Sequence, residues 1–216
     1  VDLPGLGDSA ALPDGYTAAD AVDLFVQGTL QVLQGQSFHI AAFSWGCAVS
    51  AQATAQLGKR LRSLLLTGPA SLGDIPGRGA MKPLIRRTRS MSEQEVHDAN
   101  RENLARLMIY DRSRVDDLAV YIQTLNTQKA RFNSPQFARS KLVLEGVSQT
   151  RVPLKVVYGQ FDAPGLPNIA AKQMLLESVR ADVEFEIVPD AGHWLQYEQA
   201  ALFNEMALQW MMKNSS

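Results

Sequence analysis

Short apolar runs alternate with helix-forming segments along most of this chain. "SFHIAA" (37–42) precedes the small-residue run "CAVSAQATAQLG" (47–58), and "LLL" (64–66) stops at Gly68 and Pro69. Further on, "LKVVYG" (154–159) and "VEFEIV" (183–188) each lead into a loop and then a helical pattern. Strands separated by helices pair in parallel, because a tight hairpin needs the strands to follow one another directly. The expected fold class is therefore α/β: a mostly parallel sheet with helices on both faces. The expected helices are Thr17–Leu33, which opens on a capping-box pair of Thr17 and Asp20, then Asn168–Val179 and Gln199–Met212. Val1–Leu3 reads as the end of a strand entering the turn-rich "PGLGDSAALPDG", so the first strands of the sheet are expected to be absent from this chain.

The alternation breaks between 77 and 147, where charged helical segments are separated by turn residues such as "FNSP". This predicts a helical insertion at 77–147 in a core made of 1–76 and 148–216. From Lys82 to Lys141 the insertion carries 12 basic residues against seven acids, in a chain whose net charge is −1. Such a cationic lid would steer a carboxylate-bearing small molecule. The alternative is a set of solvated helix faces with local ion pairs.

Composition narrows the function classes. A net charge of −1 and a pI near 6.3 offer no basic surface for nucleic acid or an anionic membrane. No apolar run approaches the ~20 residues that cross a bilayer. The single cysteine, Cys47, cannot close an intrachain disulfide, and three histidines are too few and too scattered for a zinc site. No metal and no cofactor is expected, and the default is a soluble, cytoplasmic protein in a reducing compartment. "PGLG" lacks the third, helix-opening glycine of a dinucleotide loop. Oligomeric state is not legible from the sequence.

Parallel sheets carry their functional groups on the loops at the carboxyl ends of the strands. Three such loops hold reactive residues: Ser44, Asp162 and His193. A serine hydroxyl needs a base to take its proton, and an imidazole base needs a carboxylate to fix its tautomer. The three residues supply nucleophile, acid and base. Taken alone, Ser44 reads equally as a helix cap. Asp74, after the 64–66 run, is the alternative acid. His39 lies within a strand, and His97 lies in the charged insertion, where a surface position is expected. Cys47 reads as a packing residue.

The order Ser, Asp, His matches the α/β-hydrolase pattern, and "AFSWG" (42–46) resembles that family's GxSxG nucleophile elbow with Ala42 in the first position. "DLPGLGDS" (2–9) resembles the loop upstream of the elbow, "GQFDAP" (159–164) its acid loop and "DAGHWLQYE" (190–198) its histidine loop. The resemblance implies the α/β-hydrolase fold with an inserted helical cap. It also implies an oxyanion-hole donor at the Trp45 backbone N–H, a second donor from an earlier loop, and substrate contacts at Phe43, Trp45 and Trp194. "LLLTGPASLG" (64–73), "LMIYDRS" (107–113) and "AGHWLQYEQAALFN" (191–204) are similar to the meta-cleavage-product hydrolases, which cut C–C bonds in diketone acids. This chain departs from that group at Phe43 and Trp45, which flank the serine, and at Gln123, where the group carries a cap arginine. The expected activity is hydrolysis of a carboxylic ester through an acyl-enzyme. The alternatives are C–C hydrolysis, another acyl hydrolysis such as that of an aminopeptidase or lactonase, and a catalytically incomplete or ligand-binding relative.

Overall fold

The structure is a computed structural model in which residues 1–75 and 81–215 are described. Their four strands, β1 (Phe38–Phe43), β2 (Leu61–Thr67), β3 (Leu154–Gly159) and β4 (Glu184–Val188), pair in parallel in the order β1-β2-β3-β4. The helices are α1 (Ala18–Leu33), α2 (Trp45–Leu57), α3 (Glu93–Leu107), α4 (Asp117–Lys129), α5 (Leu142–Ser148), α6 (Ile169–Val179), α7 (Leu195–Glu198) and α8 (Ala200–Lys213).

The continuous leucine run of β2 is explained by burial on both faces. Successive strand side chains point to opposite sides. Leu64 and Leu66 join Val156 and Tyr158 in a core shared with α1, α2, α5 and α6. Leu65 turns the other way and meets Val157, Val188, Met206 and Trp210, under α8. Each fully buried leucine is worth ~1.5–3 kcal/mol, so neither face tolerates a polar replacement.

Helix α1 starts where the capping box predicts: the Thr17 side chain accepts from the Asp20 N–H, and Asp20 accepts from the Thr17 N–H at 2.7 Å. Helix α2 is rich in small residues because it is enclosed on several sides. Cys47, Ala48, Val49, Ala51 and Ala53 are all buried. Helix α5 crosses it so closely that a Cβ on Gly146 would lie 2.5 Å from the Ala51 carbonyl oxygen. The last part of the 77–147 segment thus packs into the core.

Helices α3 and α4 pack on each other over a cluster of Leu104, Ile109, Val115, Ala119 and Val120. Several of the basic residues here are paired: Arg101 with Asp117, Arg106 and Arg112 with Glu102, Lys129 with Asp8, and Arg139 with Asp74. The expected boundary at 76/77 lies outside the described residues.

Val1–Leu3 do not continue the sheet. The Asp2 carboxylate accepts the Asp8 N–H at 3.0 Å and its carbonyl accepts the Ser9 hydroxyl at 2.7 Å. The segment is folded into a turn by its own polar groups, and β1 is the edge of the described sheet.

Candidate active site

The chain leaves β1 and enters α2 through a single residue, Ser44, with φ 51° and ψ −115°. A positive φ costs a non-glycine residue energy, and it persists only where the surroundings enforce it. Here the Ser44 N–H is held by the Thr67 carbonyl of the neighbouring strand at 3.0 Å. Ser44 occupies the N-cap position of α2, yet its side chain makes no capping hydrogen bond. Its Oγ lies 3.1 Å from Nε2 of His193 instead.

His193 follows β4 in the loop before α7, and Asp162 follows β3. His193 Nδ1 and Asp162 Oδ2 are 2.7 Å apart, and both residues are buried. The other carboxylate oxygen of Asp162 accepts the Gly165 N–H at 2.7 Å. Parallel pairing brings these three strand ends together from positions 44, 162 and 193. Asp74, the alternative acid, lies elsewhere: its side chain is 78% exposed and faces Arg139. His39 is hydrogen-bonded to Ser63 at 2.7 Å, and burial lowers its pKa. His97 sits beside Asp98 on the partly exposed surface of α3.

Cys47 lies beneath the elbow, fully buried, with its Sγ 3.4 Å from the carbonyl oxygens of Ala42 and Thr67. Burial pushes its thiol pKa far up, the reverse of what a nucleophilic cysteine requires. Trp45 is the first residue of α2, so its N–H is one of the donors that a helix N-terminus leaves without an intrahelical partner.

Between the strand ends and residues from 81 to 138 lies a cavity of about 270 Å³. Ser44 and His193 open onto it, and Trp45, Leu72, Met81, Leu107, Met108 and Pro135 contribute apolar walls. The Trp45 ring stacks on both Phe132 and Phe137, which also stack on each other. Phe43 does not line this cavity; its ring packs 4.7 Å from the imidazole of His193. Trp194 does not line this cavity. Its N–H donates to the Met108 carbonyl at 2.7 Å, and its side chain is buried in the α3–α4 cluster. None of the 12 basic residues between Lys82 and Lys141 lines the cavity, and Lys172 is the lysine that does so among the described residues.

Two site residues were not singled out from the sequence. Gly68 adopts φ +55°, and a Cβ there would lie 2.9 Å from the His193 ring. The signal for it was the "TGP" that ends β2. Glu198, 2% exposed, accepts the N–H of Gly192, the residue before His193, at 2.6 Å. An acid five positions after the histidine, at the end of the short helix α7, was its only local trace.

A strained serine between a parallel strand and a helix, bonded to a histidine and through it to an aspartate, is the layout of an α/β-hydrolase. The chain belongs to the alpha/beta hydrolase family, whose model matches residues 1–206. It is similar to a 2-hydroxy-6-oxononadienedioate/2-hydroxy-6-oxononatrienedioate hydrolase of Escherichia coli, at 23% identity over 227 residues, covering 99% of this chain and 75% of that protein. Among solved structures it resembles a meta-cleavage product hydrolase from Pseudomonas fluorescens (TM-score 0.70, 16% identity, 98% of this chain and 78% of the other). It also resembles a thermophilic esterase from Thermogutta terrifontis (TM-score 0.64, 18% identity, 100% and 79%). Among the described residues no helix is long and apolar enough to cross a membrane, and no group of three or more His, Cys, Asp or Glu could hold a metal ion.

Proposed function

We propose that this chain is a serine hydrolase that cleaves a carboxylic ester through an acyl-enzyme, with Ser44 as nucleophile, His193 as base and Asp162 as the orienting acid. The observation that carries the reading is the hydrogen-bonded chain from Ser44 Oγ to His193 to Asp162. His193 takes the Ser44 proton as Oγ attacks the ester carbonyl. The Trp45 N–H donates to the oxyanion that develops. The imidazolium then protonates the leaving alcohol, and water activated by the same imidazole releases the acid. The insertion, 77–147, acts as a cap that walls the cavity through residues such as Leu107, Met108 and Pro135. A single buried thiol suits the cytoplasm.

C–C hydrolysis of a carboxylate-bearing diketone acid is the second reading, and the similarity to the Escherichia coli dienedioate hydrolase favours it. The mostly apolar lining, to which the basic residues of 82–141 do not contribute, favours the ester. The test is hydrolysis of p-nitrophenyl butyrate and of a 2-hydroxy-6-oxo-dienoate by the protein and its Ser44→Ala variant. The ester is expected to turn over faster, and Ser44→Ala to lower kcat on the order of 10⁴–10⁶-fold. An unchanged rate in Ser44→Ala would overturn the nucleophile assignment, and a faster dienoate would move the reaction to C–C cleavage.

A further inference from the structure

We propose that Glu198 is a positioning residue for His193, tying the backbone beside the imidazole to the 108–111 loop of the insertion. Three observations converge on it. The Glu198 carboxylate is buried and accepts three backbone N–H groups, from Gly192 at 2.6 Å, Tyr110 at 2.9 Å and Asp111 at 3.0 Å. One side chain therefore joins the histidine loop to a segment more than 80 residues away in the sequence.

The residue on the other side of His193 is held by the same loop, through the bond from the Trp194 N–H to the Met108 carbonyl. The two loops are also in direct contact: a Cβ on Gly192 would lie 2.8 Å from the Met108 oxygen and the Tyr110 nitrogen. Arg114 donates to the Glu198 carbonyl, and the ring of Tyr110 stacks 3.7 Å from that of Phe161, next to Asp162. Histidine loop, acid loop and insertion thus meet around one carboxylate.

A buried carboxylate is costly unless its oxygens are satisfied. Here the satisfaction is specific, because three N–H groups from two chain segments converge on two oxygens. The chemical consequence lies at the imidazole. The distance from Nε2 to Ser44 Oγ is set by the backbone of 192–194, and a displacement on the order of 1 Å costs roughly 10²-fold in rate. Met108 lines the cavity, so the tie also joins the cavity wall to the residue that moves the proton.

The inference rests on the serine-hydrolase reading, and the test separates the two. The probes are p-nitrophenyl butyrate turnover and the rate of Ser44 labelling by a fluorophosphonate, normalised to titrated active sites in wild type, Glu198→Gln and Glu198→Asp and to protein concentration in Ser44→Ala. Glu198→Gln keeps the shape but turns an amide N–H toward a backbone donor. Glu198→Asp keeps the charge but is one methylene too short to hold both loops. Both are expected to lose roughly 10- to 100-fold in kcat and in labelling rate, with KM within about twofold of wild type and circular dichroism unchanged. If labelling is lost in Ser44→Ala while either folded Glu198 variant labels and turns over at the wild-type rate per site, Glu198 has no positioning role. If Ser44→Ala stays active, it is the hydrolase reading that fails.

Discussion

Gly68 and His193 are packed so closely that no side chain fits between them: a Cβ on Gly68 would lie 2.9 Å from both Cε1 and Nδ1 of the imidazole and 3.0 Å from Oδ2 of Asp162. The end of β2 therefore forms the floor on which the histidine–aspartate pair rests. Gly68→Ala is expected to lower kcat by roughly 10²-fold, because the ring must shift away from Ser44. Its φ of +55° adds about 1–2 kcal/mol of backbone strain for alanine. That corresponds to a fall in Tm of roughly 2–8 °C. Steady-state kinetics and thermal melting of the variant check both parts, and wild-type kcat would show that the contact has no consequence for the imidazole.

Asp162→Asn is expected to lower kcat by about 10⁴-fold while leaving the fold intact. One Asp162 oxygen already accepts the Gly165 N–H, and the other faces His193 Nδ1. An asparagine would keep its oxygen toward Gly165 and turn its NH₂ toward the ring. Nδ1 would then have to accept, Nε2 would carry the proton, and Ser44 would lose its base. Activity in Asp162→Asn comparable to wild type would remove Asp162 from the role of orienting acid.

Cys47 is expected to resist thiol reagents in the native state. Burial raises its pKa and encloses its sulfur against the Ala42 and Thr67 carbonyl oxygens, so neither thiolate nor access is available. Labelling with a disulfide reagent before and after unfolding in guanidinium checks this. Fast reaction of the native protein would mean that α2 opens readily.

Burial holds the Glu198 carboxyl above its ordinary value of 4.5, against the lowering effect of the Asp111, Gly192 and Tyr110 N–H groups and of Arg114. A raised folded-state pKa means that the native protein holds this proton more tightly than the unfolded chain does. The stabilisation is fully present below 4.5 and is lost as pH rises from there through the raised value. Wild type should therefore lose stability relative to Glu198→Gln over that interval, as read by urea midpoints at a series of pH values. A gap that changes in the opposite direction would contradict the shift.

Much of the fold was legible because its signals are local. The β2 leucine run, the "LKVVYG" strand and the Thr17–Asp20 capping box each report on neighbours within one strand or one helical turn, and the structure has elements at each. Ser44, Asp162 and His193 could be picked out because parallel strands deliver their loops to one edge. Val1–Leu3 lie outside the described strands, and the Asp2 side chain with the turn it closes sets their path.

The sequence by itself determined the strand–helix alternation, the parallel sheet and the order of the reactive residues, since these follow from residue type and short-range spacing. Tertiary structure alone decided that Asp162 and not Asp74 faces His193, and that Trp194 is turned into the α3–α4 cluster. It alone revealed the glycine under the imidazole and the buried glutamate beside it. The reason is physical: each of these depends on groups tens of residues apart that meet only when the loops pack. A spacing rule reads 3.6 or two residues ahead, and cannot see an N–H at 110 converging on a carboxylate at 198.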